Sequence, residues 1–145
     1  MPDIQTTFNA THARWVEGMV LNQEPATIIS REVETAAGIG FGKVAQRGTG
    51  DHQVKVSAAS PKYLGITILD ATKMDGKYNQ YDTAAVMTKG IVVVQASVAV
   101  AAGDPVYFVP ATGVFTNVST ANQLIPNAAF DTSTAGAGLA AVRLG

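Results

Sequence analysis

An all-β domain, a small β-sandwich or β-barrel with short strands and an extended N-terminal arm, is predicted by three observations. Short apolar runs recur at intervals of about 8 to 12 residues, with Gly and Pro between them. The longest runs are Val-rich, as in IVVVQASVAV, and β-branched side chains favour pleated surfaces. No stretch shows a sustained 3.6-residue apolar period, so no amphipathic helix is expected.

The elements follow in order. Residues 1–27 keep neither a helical nor a strand period, with Phe8, Trp15, Met19, Val20 and Leu21 scattered among polar neighbours. They are expected to form an arm that reaches a neighbouring subunit or, alternatively, packs on its own core. Residues 28–145 are expected to form the β-rich domain. IISREVE alternates weakly, GIGFGKVAQ offers Ile39, Phe41 and Val44 to an interior, and HQVKVSA sets Val54 and Val56 opposite Lys55. YLGITIL is a further strand whose Gly65 suits a bulge or close backbone approach.

The polar connection DATKMDGKYNQYDT contains the turn pair Asp75-Gly76. AAVMTKGIVVVQASVAV then reads as a strand, a Lys89-Gly90 turn and a returning strand, with Val92, Val93 and Val94 covered on both faces. Gly103-Asp104-Pro105 turns the chain into Val106–Val109, and Ala111-Thr112-Gly113 turns it into VFTNV. After Pro126 come AAFDTST, a small-residue linker and the closing strand LAAVRL.

Charge is distributed unevenly. The 145 residues carry ten Lys/Arg and eleven Asp/Glu, a net charge of -1, without a basic stripe for nucleic acid. From Gly90 to Gly145 the only charged side chains are Asp104, Asp131 and Arg143. A soluble monomer normally covers its surface with mixed charges. A half without them points to a surface presented to protein. Cysteine is absent, which excludes disulfides, zinc–cysteine sites and thiolate nucleophiles. No secretory pattern opens the chain, and the run between Lys89 and Asp104 is shorter than the roughly 18 residues of a spanning helix. No membrane partner is expected, and synthesis in a cytoplasm is.

Enzyme chemistry finds little support. GIGFGK, Gly38 to Lys43, fails the phosphate-loop pattern because Ala37 stands where a Gly is needed and Val44 follows Lys43. It fails the dinucleotide pattern because Lys43 replaces the third Gly. His12 and His52, the only histidines, lie in no ligand spacing, and no GxSxG elbow accompanies the serines. Glu32 and Glu34 share one face of an expected strand, as solvated carboxylates also do. No catalytic, cofactor or metal residues are expected. The candidate protein or subunit interface is Phe8, Arg14 and Trp15 in the arm, with Tyr78 and Tyr81 flanking Asn79-Gln80; aromatic and Arg side chains dominate binding hot spots. The tyrosines can equally roof a core.

The order of FGKVA (41–45), YLGI (63–66), VMTKGIVV (86–93), AGDPVY (102–107) and LAAVRL (139–144) resembles the structural cement, or head-decoration, proteins of tailed bacteriophages. That resemblance covers about residues 27–145. It implies a non-enzymatic β-rich protein on the capsid exterior, acting as a homodimer or homotrimer that bridges major capsid protein subunits and stabilises the head, without direct nucleic-acid contact. The alternative is a virion-exposed module binding carbohydrate or a host surface, with Trp15, Tyr78 and Tyr81 as stacking platforms.

Overall fold

The computed structural model describes residues 15–56 and 62–145, and all regular structure among them is β. Eleven strands follow in order: β1 (Thr27–Val33), β2 (Ile39–Gly40), β3 (Val44–Arg47), β4 (Gln53–Lys55), β5 (Tyr63–Thr67), β6 (Lys77–Tyr78), β7 (Thr83–Ala96), β8 (Pro105–Phe108), β9 (Phe115–Thr116), β10 (Gln123–Phe130) and β11 (Gly138–Leu144). The all-β expectation holds, and its barrel form is the one adopted. The order β1-β4-β3-β5-β7 closes on itself through β1–β7, giving a five-stranded barrel. From the same β7 the sheet continues β11-β10-β8-β9 and returns through β7–β9, so a second ring of pairings shares that strand.

Strand β7 therefore organises the molecule. Its first half pairs with β1 from Thr83 to Lys89, and with β5 at Val86 and Met87. Its second half pairs with β11 from Gly90 to Ala96. The expected Lys89-Gly90 turn is not formed: one 14-residue strand runs through both positions. Gly90 is where β7 passes from one ring to the other, at φ +132°, a conformation that L side chains rarely adopt. A Cβ there would sit 2.9 Å from Ala26 Cβ and 3.0 Å from Met87 Sδ.

Two cores result. Val33, Ala45, Val54, Ala84 and Val86 fill the first ring with Ile39 and Tyr78, which the small β2–β6 ladder brings in beside it. Val92, Val94, Ala96, Val106, Phe108, Phe115, Ile125, Phe130, Ala140 and Val142 fill the second. Along β7 the division follows position: Ala84 and Val86, before Gly90, face the first core, and Val92, Val94 and Ala96, after it and of the same parity, face the second, which Val44, Ile66 and Met87 from strands of the first ring also join. Ile91 and Val93 have the opposite parity and are buried as well, so the Val92–Val94 run is covered on both faces as expected. Gly65 lets β5 approach β7 closely, because a Cβ there would run into the Met87 carbonyl oxygen. Gln46, fully buried on β3, donates to the Val56 and Pro110 carbonyls and links the first ring to the loop after β8.

Strand β10 was not expected. Pro126 interrupts its pattern, and the β8–β10 register shifts between Leu124 and Ala129, where Asn127 adopts φ +58°. The bulge accommodates a proline that has no N–H to contribute to a ladder.

Candidate functional site: the uncharged face of the second ring

The three charged side chains after Gly90 are all engaged inside the molecule. Asp104 accepts from the Ala101 N–H and the Asn117 side-chain amide, both at 2.9 Å. Those bonds, the backbone one first, hold its carboxyl below the usual aspartate value. Arg143 on β11 makes a two-pronged pair with Glu24, at 2.5 and 3.2 Å, and approaches Asp131 at 3.5 Å. Glu24 above all raises the guanidinium's affinity for its proton. Arg143 thus fastens the segment before β1 to the second ring.

Apart from these three side chains, of which Asp131 and Arg143 are exposed, what the second ring leaves outside is neutral. Ser97 donates to the Phe115 carbonyl through its N–H and its hydroxyl, at 3.0 and 2.8 Å, and Asn117 donates to the Ala99 carbonyl. These bonds set the loops after β7, before β9 and after β9 side by side. On them Val98, Val114 and Val118 stay 36, 39 and 46% exposed, and Leu124 on β10 is 42% exposed. The surrounding side chains are Ala, Ser, Thr and Asn. Such a face can be covered by protein without desolvating ions, which is the expensive part of burying a surface.

Beside this face, between the rings, lies a groove of about 420 Å³. Ile39 and Val56 line one side, and Ala96, Val114 and Phe115 the other. Its one charged lining residue, Lys43, is paired with Glu17 at 2.6 Å. The Gly38–Lys43 run is β2 followed by a turn, braced by Thr67: its hydroxyl donates to the Gly40 carbonyl and accepts from the Lys43 N–H.

The sequence-predicted interface residues fare differently. Phe8 and Arg14 lie outside the described residues. Trp15 stands at the start of the described chain, half-buried, and residues 18–21 follow along β7: Gly18 donates to Val93, Val93 to Met19, and Leu21 to Ile91. This stretch of the leading segment is part of the domain. Tyr78 is not a surface anchor. It is 1% exposed, donates to the Ile68 carbonyl at 2.8 Å, and meets the Phe41 ring edge-on at 5.3 Å. A polar sequence context hid this, because pairing with β2 is what pulls the ring inward. Tyr81 is 70% exposed at φ +70°, just ahead of β7 and so at the opposite end of that strand from Val98.

The carboxylates weighed for catalysis brace turns. Glu34 accepts from the Thr49 N–H and hydroxyl at 2.6 and 2.9 Å, which lowers its pKa, and Glu32 accepts from Gln53 at 3.1 Å. Sequence reasoning missed the Glu17–Lys43 and Glu24–Arg143 tethers. The latter spans 119 positions and leaves no local signal.

The fold has counterparts among solved structures. The chain is similar to one in the capsid of Myoviridae phage XM1, with a TM-score of 0.73 and 22% identity, covering 94% of this chain and 96% of that one. It is also similar to the head fibre gp8.5 N base of bacteriophage phi29, with a TM-score of 0.51 and 12% identity, covering 83% and 95%. The sequence itself matches the structural cement protein family (E217 gp24/Pam3 gp6) over residues 4–145, and the chain belongs to that family. No curated protein matches the sequence.

Proposed function

We propose that this protein cements a phage head: without catalysing a reaction, it binds the outer surface of the major capsid protein lattice, self-associates there, and stabilises the mature shell. One observation carries the reading. The second ring engages all its charges internally and leaves Val98, Val114, Val118 and Leu124 on a neutral surface. Family membership supports it. Each clamp need not be strong, since a cement oligomer that touches several subunits binds its later contacts at high effective concentration. Only a lattice whose joints match the clamp spacing is stabilised. Trp15, with Phe8 and Arg14 of the arm, and Tyr81 at the other end of β7 are candidate interface contacts. The test is to add purified protein to expanded capsids lacking it, and to follow binding and heat resistance. Binding with a raised disruption temperature is expected; neither effect would remove the reading.

A second reading, a virion-exposed module that binds carbohydrate or a host surface, draws on Tyr81, whose exposed ring can stack on a sugar. Under it, Tyr81→Ala abolishes glycan-array binding and leaves self-association intact.

A further inference from the structure

We propose that the groove between the two rings is the seat of the leading segment, residues 4–13, of a second copy of this chain. The inference rests on the cementing role and adds the contact by which neighbouring copies join.

Charge and chemistry match. Between Asp3 and Arg14 the sequence IQTTFNATHA carries no Asp, Glu, Lys or Arg and includes Ile4 and Phe8. The groove is apolar, at about 420 Å³ has room for side chains of this size, and its single cation is already neutralised by Glu17 of its own chain. A charged segment would strand an ion there, and a neutral one does not.

Direction favours a neighbour over the same chain, and length allows it. Residues 18–21 run antiparallel to β7, with Leu21 beside Ile91 and Gly18 beside Val93. A turn closed by the Met19 N–H on the Val16 carbonyl, with Gly18 at φ +86°, then reverses the chain. At Val16 the turn therefore points back toward the Ile91 end of β7, away from the groove wall at Gln95–Ser97. Fourteen residues precede Trp15. Fully extended they reach about 46 Å, against a radius of gyration of about 15 Å for a domain of this size. The contact is head-to-tail: each copy gives one segment and receives one. It closes into a ring or continues over a lattice according to the angle between copies.

The chain has no cysteine, so disulfide trapping starts without background. Full-length Phe8→Cys protein is mixed with differently tagged full-length Val114→Cys protein, in solution and on decorated capsids, and oxidised mildly. A mixed-tag dimer on a non-reducing gel is expected, with little capture when Met74→Cys, at a fully exposed position away from the groove, replaces Val114→Cys. In the double variant Phe8→Cys/Val114→Cys, the expected products are multimers. Four outcomes overturn the proposal: no mixed dimer in either setting, equal capture by Met74→Cys, an adduct between groove and capsid protein in place of the dimer, or a double variant that oxidises only within one chain. Capsid co-sedimentation of the unsubstituted protein is read separately. Loss of trapping while the unsubstituted protein still binds capsids refutes the groove contact alone, and failure of the unsubstituted protein to bind refutes the cementing role.

Discussion

Replacing Gly90 by Val tests the joint between the two rings. The residue sits at φ +132°, so any side chain introduces backbone strain of order 1–3 kcal/mol. The new Cβ would also lie 2.9 Å from Ala26 Cβ and 3.0 Å from Met87 Sδ, well inside an ordinary carbon contact. Overpacking of that kind costs about 1–3 kcal/mol, at the low end here because Ala26 is exposed and can move. Together the loss is about 2–4 kcal/mol. For a 145-residue chain at about 2–4 °C per kcal/mol, Tm falls by about 5–15 °C. Scanning calorimetry at one fixed protein concentration measures this without interference from self-association. Gly90→Ala keeps most of the strain and less of the crowding, so it should recover only part of the loss. Adding Ala26→Gly should recover little more. A Gly90→Val protein that melts within about 2 °C of the parent would refute the claim that this glycine lets one strand serve both rings.

Two further predictions concern charge. Arg143→Ala removes the tether to Glu24, but both side chains are more than two-fifths exposed, so Tm should drop only slightly and the difference should vanish in about 1 M salt. A large, salt-independent loss would show that the tether does more than hold a surface segment. The carboxyl of Asp104, like those of Glu34, Asp70 and Asp82, has a lower pKa folded than unfolded. The stability such groups contribute is present above the ordinary carboxylate range of about 4 and is lost as pH falls through the folded values. Tm should therefore decline below about pH 4, and Asp104→Asn should make that decline shallower; an unchanged acid profile in the variant would contradict the assignment.

Much of the fold was legible locally. Alternation found β4, the apolar run YLGITIL marked β5, and the Val92–Val94 run announced a strand covered on both sides. What local pattern did not reveal is that Lys89-Gly90 continues a strand. A Gly beside a Lys reads as a turn, and 14 residues exceed the usual strand length of about 3–10. Closure into rings depends on pairings far apart in sequence, such as Ala96 with Phe115, which periodicity does not encode. β10 was hidden by Pro126, which a bulge accommodates. The neutral second half was visible in composition, whereas the individual anchors were not. Tyr78 and Tyr81 share one polar stretch, yet the β2–β6 ladder draws the first inward and leaves the second outside.

The cementing role is tested most directly by putting charge on the neutral face. Val118→Asp/Leu124→Asp changes two side chains that are 46 and 42% exposed, so the monomer fold should survive with little change in Tm. Titrated onto expanded capsids lacking the protein, this variant should bind at least about tenfold more weakly than the parent, a loss of about 1.4 kcal/mol or more, and should give no heat protection at concentrations where the parent does. A folded double variant that decorates and protects capsids as well as the parent would contradict the assignment of this face to the capsid.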